Sequence, residues 1–126
     1  MNSILKTFSI SLLAFLLIVF TNTSAHEGHD HELSKEQAIA RAASAVASIV
    51  DKVEPIEGEL LDDGWKQATN AATCKKTPQF YLISFNNRTA GKTLYLLLTS
   101  AVRYMRANFD GHFADLTFSP YPLQSC

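Results

Sequence analysis

Phe80-Tyr81-Leu82-Ile83-Ser84-Phe85, followed after a polar break by Thr93-Leu94-Tyr95-Leu96-Leu97-Leu98-Thr99, is the stretch that decides the fold. Both runs are short, dense in apolar side chains and bounded by turn residues. Asn86-Asn87 and Gly91 supply the turn chemistry between them, so the two runs read as strands. Downstream, Arg103-Tyr104-Met105-Arg106-Ala107-Asn108-Phe109 alternates polar and apolar residues. That period of two predicts a third strand with Met105, Ala107 and Phe109 facing the core, closed by Asp110-Gly111. An earlier strand from about Trp65 to Cys74 extends the expected sheet to four, with Trp65 in the core or at its edge. After Phe118, Pro120 and Pro122 predict an irregular tail.

Upstream of these runs the period changes. Ile39, Ala42, Ala43, Val46, Ile49, Val50 and Val53 recur at helical spacing and define one apolar face, while Lys35, Arg41, Ser44, Ser48 and Lys52 occupy the other. Ser34 reads as the N-cap, with Gln37 completing a capping box and Leu33 available as a staple. Pro55 and Gly58 end the helical region. The expected fold is therefore α+β: one N-terminal amphipathic helix packed on a three- to four-stranded antiparallel sheet. The sheet's second face carries Phe80 or Tyr81 and Tyr95, to be covered by the tail or offered to a partner.

The amino-terminal end has a different character. Lys6 precedes a largely apolar run from Phe8 to Phe20, and Thr23-Ser24-Ala25 is a small-residue cleavage site, the pattern of a secretory signal peptide over 1–25. The apolar run is short of the roughly 20 residues of a membrane-spanning helix, although an uncleaved signal anchor is the alternative. The expected organisation is a signal peptide (1–25), a His-rich flexible leader (26–33), an α+β domain (34–113) and a C-terminal tail (114–126). Cleavage leaves about 100 residues, enough for one modest core, and no stable membrane span.

The chain holds 11 Lys and Arg against 12 Asp and Glu, with no concentrated basic run, so no nucleic-acid partner is expected. In an exported chain Cys74 and Cys126 are expected to form a disulfide; two free thiols or an intermolecular bridge through Cys126 are the alternatives. No C-x-x-C pair points to thiol redox chemistry.

The clearest chemical signal is His26-Glu27-Gly28-His29-Asp30-His31-Glu32. Neutral imidazole binds zinc and copper well, and nearby carboxylates add charge and oxygen ligands. Cleavage after Ala25 sets a free α-amine beside the His26 imidazole, a bidentate chelator that His29 or His31 can complete. Cleavage two residues earlier exposes Ser24-Ala25-His26 instead, a square-planar nitrogen site for Cu(II) or Ni(II). The candidate metal ligands are thus His26, His29 and His31, with Cu or Zn as the ion; a solvated leader with incidental histidines is the alternative. His112, after Asp110-Gly111, reads as a surface turn residue.

Other apparent motifs fail on context. Gly91-Lys92-Thr93 lacks the upstream glycine and following helix of a phosphate-binding loop. Asn87-Arg88-Thr89 fits a glycosylation sequon, which has no force in a bacterial chain. The serines near histidines in sequence lie at the leader, where no fixed geometry could build a nucleophilic triad. The chain is expected to be non-enzymatic.

The order of these parts resembles a family of small secreted bacterial proteins of unknown function, related in appearance to PepSY-like domains. The resemblance covers about Ala25 to Gly111. It runs through the Ser-capped alanine-rich helix, Trp65-Lys66, Pro78-Gln79-Phe80, Phe85-Asn86-Asn87, Lys92-Thr93-Leu94-Tyr95 and Ala107-Asn108-Phe109-Asp110-Gly111, the last being the most specific block. It implies a periplasmic helix-on-sheet module. PepSY-like modules are thought of as interaction or inhibitory domains, so it implies a periplasmic or membrane protein partner and no established activity. The tail after Gly111 and the two cysteines depart from the pattern. Two functions are expected: a periplasmic or secreted protein that handles or senses Cu or Zn, or an interaction module with no physiological metal. Mass spectrometry of the exported protein is expected to show His26 as first residue and a mass lowered by one disulfide; an intact residue 1–25 segment or two alkylatable thiols would contradict it.

Overall fold

The computed structural model describes residues 35–126; the expected signal peptide, the leader and the Ser34 cap lie outside the described residues. In chain order the elements are α1 (Lys35–Asp51), β1 (Pro55–Ile56), β2 (Glu59–Leu60), α2 (Gly64–Ala68), β3 (Ala72–Lys76), β4 (Phe80–Asn87), β5 (Lys92–Thr99), β6 (Tyr104–Asn108), α3 (Ala114–Thr117) and β7 (Gln124–Ser125). β1 and β2 form a small hairpin of their own. The other five strands make one antiparallel sheet in the order β6-β5-β4-β3-β7. The architecture is α+β with an N-terminal helix on a sheet, and the sheet has five strands where three or four were expected.

The centre is the β4–β5 hairpin, paired without interruption from Phe80↔Thr99 to Asn87↔Lys92. Side chains alternate across a strand, so Tyr81, Ile83 and Phe85 share one face with Leu94, Leu96 and Leu98. α1 lies on that face. Its buried residues are Ala38, Ala42, Val46 and Ile49, with Ile39, Ala43, Ala45 and Val50 half-buried around them. The stripe is thus rotated from the expected one: Ala38 joins its centre, and Ile39 and Val50 move to its flanks. Alanine at the contact line lets the helix backbone approach the sheet, and the bulkier side chains then fill the margins. Ile83, Phe85, Leu94, Leu96 and Leu98 are fully buried, each burial stabilising by roughly 1.5–3 kcal/mol.

The strand expected from Trp65 to Cys74 is divided in the structure. Trp65 lies in α2, and β3 begins only at Ala72. The cause is local: Asp62 Oδ1 accepts from the Gly64 N–H at 2.9 Å, and the Asp62 and Asp63 carbonyls accept from Trp65 and Lys66. This winds the chain into a helical turn before a strand can start. Trp65 is buried, and Lys66 reaches Asp51 at the end of α1 at 2.6 Å.

β6 corrects a second expectation. A register shift against Leu97/Leu98 pairs Leu97 with Arg106 and Leu98 with Tyr104, leaving Met105 as the extra residue. One extra residue reverses the alternation. Ala107 and Phe109 therefore pack toward α1 as expected, while Met105 joins Leu82, Leu97, Phe80 and Tyr95 on the opposite face.

That opposite face is covered in part by Phe113, the last residue of the expected α+β domain, and by Leu116 from the expected C-terminal tail. Residues 114–126 form α3, an exposed stretch and β7, which pairs with Lys75 and Lys76 of β3. The Cys74–Cys126 disulfide, spanning 52 residues with 5.5 Å between Cα atoms, fixes the last residue to β3. Loop closure over that length contributes about 4 kcal/mol in the chain-entropy account.

α1 ends without glycine. Glu54 N–H donates to Ile49 and Val53 N–H to Val50, closing a Schellman turn with Val53 at φ 56°. Val102 adopts the same left-handed conformation, at φ 63°. For a β-branched residue this backbone costs about 1–2 kcal/mol. Val102 is 6% exposed and recovers that cost by burial; Val53 is 64% exposed and does not. Val53→Gly is expected to raise stability by about 1 kcal/mol in urea unfolding. Val102→Gly, which loses its buried side chain, is expected to lower it; the reverse order of the two variants would refute this account.

Candidate functional site

The three leader histidines, His26, His29 and His31, lie outside the described residues. Cys74 and Cys126 are joined, half-sealed between β3 and the carboxyl end of the chain, with Cys126 N–H donating to the Cys74 carbonyl at 3.2 Å. His112 stands on the surface with 88% of its side chain exposed. Among the described residues no group of three or more His, Cys, Asp or Glu could hold a metal ion. No helix among them is long and apolar enough to cross a membrane.

The block Ala107-Asn108-Phe109-Asp110-Gly111 forms a turn whose parts explain one another. Asn108 Oδ1 accepts from Gly111 N–H while its Nδ2 donates to the His112 carbonyl, both at 2.8 Å. Asp110 Oδ1 accepts from His112 N–H at 2.8 Å. Gly111 has φ 74° and lies flat on Tyr95, where an added Cβ would stand 3.1 Å from the ring. Only glycine meets both demands. Phe109 packs against Trp65 with centroids 6.0 Å apart, and Lys92 Nζ lies 5.1 Å from the Phe109 centroid while pairing with Glu59. This cluster ties β6, α2, β5 and β2 together, so the block is an organiser of the fold.

A cleft opens elsewhere, between α1 and the β5–β6 turn. Arg41, Ser44, Ala45, Ser48, Ile49 and Lys52 form the helix wall; Ala101, Val102, Arg103 and Tyr104 form the other, with Glu54 at one end. Its volume is about 570 Å³, and a smaller hollow of about 360 Å³ continues it past Ala40 to Gln37. The turn is held rigidly: Thr99 N–H donates to the Arg103 carbonyl and Val102 N–H to the Thr99 carbonyl, each at 2.9 Å. Ser100 N–H further donates to Gln79 at 2.9 Å, anchoring the turn to the β3–β4 connection. The left-handed Val102 is what directs its side chain inward while Ala101 and Arg103 stay exposed. Burial raises the pKa of the Tyr104 phenol, and the Glu54 carboxylate adds to the effect. Arg41, Lys52 and Arg103 form no ion pair among the described residues.

The helix wall of this cleft is the polar face that the sequence presents as Arg41, Ser44, Ser48 and Lys52. Their spacing places them on one line of the helix. That line becomes a cleft only because residues 101–104, far along the chain, turn back beside it.

No curated protein and no solved structure matches the chain. The model of one family, described as a family of unknown function (DUF6488), matches residues 1–112, and with that span covering most of the chain, the chain belongs to this family.

Proposed function

We propose that the protein acts outside the cytoplasm, in the periplasm or after secretion, as a non-enzymatic binder of Cu or Zn for metal handling or sensing. The observation that carries this reading is the ligand spacing His26-x-x-His29-x-His31, interleaved with Glu27, Asp30 and Glu32 directly behind an apparent export signal. The α-amine freed by cleavage and the His26 imidazole would supply the first two nitrogen ligands, with His29 or His31 completing the set. The Cys74–Cys126 disulfide suits an oxidising compartment. The folded body, a helix on a sheet that we read as PepSY-like, then serves as scaffold or docking module.

Metal binding by imidazole requires the neutral ring, so affinity falls as pH drops below about 6. Titration calorimetry of the correctly processed protein with Cu(II) and Zn(II) is expected to show saturable binding at pH 7.5 and a much weaker response at pH 5. Deletion of residues 26–31 should abolish it. Unchanged affinity after that deletion would end the reading.

The cleft beside α1 favours a second reading, a PepSY-like interaction or inhibitory module in which the histidines are incidental. Capture of a periplasmic or membrane protein from extract in chelator, by a form lacking residues 26–31, is the expected result there. Loss of capture under those two conditions would count against it.

A further inference from the structure

We propose that the cleft between α1 and the β5–β6 turn is a groove for an extended acidic peptide segment carrying apolar residues at alternate positions. The inference rests on the interaction-module reading and names the partner class.

Charge is the first argument. Arg41, Lys52 and Arg103 line the cleft with Glu54 as the one acidic residue among its lining, a surplus of two positive charges. Elsewhere on the described surface several cations are already engaged: Lys66 by Asp51, Lys92 by Glu59 and Arg106 by Asp115. The three in the cleft are without such partners among the described residues. A second cleft of similar volume, between α2 and the β4–β5 turn, sets Asp62 against Arg88 and has no surplus. Guanidinium groups take carboxylates as paired hydrogen-bond acceptors, which favours Glu or Asp side chains.

Shape is the second. The residues of α1 and its carboxyl end along the groove run from Gln37 to Lys52, about 22 Å at 1.5 Å per residue. That is the length of about seven residues of extended chain at 3.3 Å each. A small anion would fill a fraction of it. The cleft also reaches the first residue of β6, the edge strand of the sheet, and an edge offers backbone groups to an added strand.

Chemistry along the groove is the third. Ala45, Ile49 and Val102 give it an apolar component between the cations. An extended peptide presents successive side chains to opposite sides, so acidic and apolar residues in alternation can meet both. The β5–β6 turn is already braced by backbone hydrogen bonds, so little ordering cost falls on binding.

The test is fluorescence anisotropy on the mature chain beginning at His26, in chelator, with three labelled eight-residue probes: alternating Glu-Val, Ser-Val and Lys-Val. The Glu-Val probe is expected to bind saturably, at least about tenfold more tightly than the others, and to weaken as salt rises. The double variant R41E/R103E is expected to lose about tenfold or more, while K75E, on β3 away from the cleft, stays within about twofold. Both substituted arginines are exposed, and unchanged urea midpoints confirm that the variants fold. A variant with His26, His29 and His31 changed to Ala is expected to bind as the parent does. Equal binding of all three probes, or full binding by R41E/R103E, overturns the acidic-peptide assignment while leaving an interaction module standing. Displacement of the probe by millimolar inorganic phosphate as effectively as by unlabelled Glu-Val peptide also overturns it, in favour of a simple anion site. If no probe binds, the inference fails, and the capture experiment in chelator judges the module reading separately.

Discussion

Everything in this fold leans on the contact between an alanine-lined helix and the β4–β5 hairpin. Ala38 and Ala42 bring α1 close to the sheet, and Val46 and Ile49 extend the line over Ile83, Phe85, Leu94, Leu96 and Leu98. The hairpin alone would be marginal, since two strands cannot bury both faces. The helix alone would be marginal too, because short helices draw their stability from packing an amphipathic face. Each becomes stable by covering the other. The remaining elements then attach to a frame that already exists: α2 inserts Trp65 beside Phe109, and β6 and β3 extend the hairpin on both sides.

The second face of the sheet is handled differently. It is closed by residues near the carboxyl end, through Phe113 and Leu116, with β7 and the Cys74–Cys126 disulfide holding that segment against β3. The intervening stretch is lightly anchored, with Phe118 at 85% exposure and Tyr121 and Leu123 exposed as well. The covalent link at Cys126 therefore matters more here than the two β7 pairings alone. The family match ends at residue 112, so the covering segment and Cys126 lie beyond it.

Two chemically distinct regions emerge, and they differ in how they were legible. The histidine arm is a property of six consecutive residues and is visible in the sequence without any fold. The cleft is the reverse case. Arg41, Ser44, Ser48 and Lys52 look like an ordinary solvated helix face, and nothing local distinguishes them. Arg103 and Tyr104 look like the start of a strand. Only the left-handed turn at Val102 brings the two together, and a β-branched residue gives no local signal of such a turn.

What the amino-acid order determined by itself is the period of each segment and the chemistry of its ends. The helix repeats its apolar residues at helical spacing, Phe80–Phe85 and Thr93–Thr99 are dense apolar runs bounded by turn residues, and Asn108 to Gly111 carry their own turn. These follow from backbone geometry within a few residues. The tertiary structure alone decided the bulge that turns Met105 away from α1, the pairing of β7 with β3 and the existence of the cleft. Each of those depends on which distant segment lies alongside, and the free energy that selects the partner is released only when both are buried together.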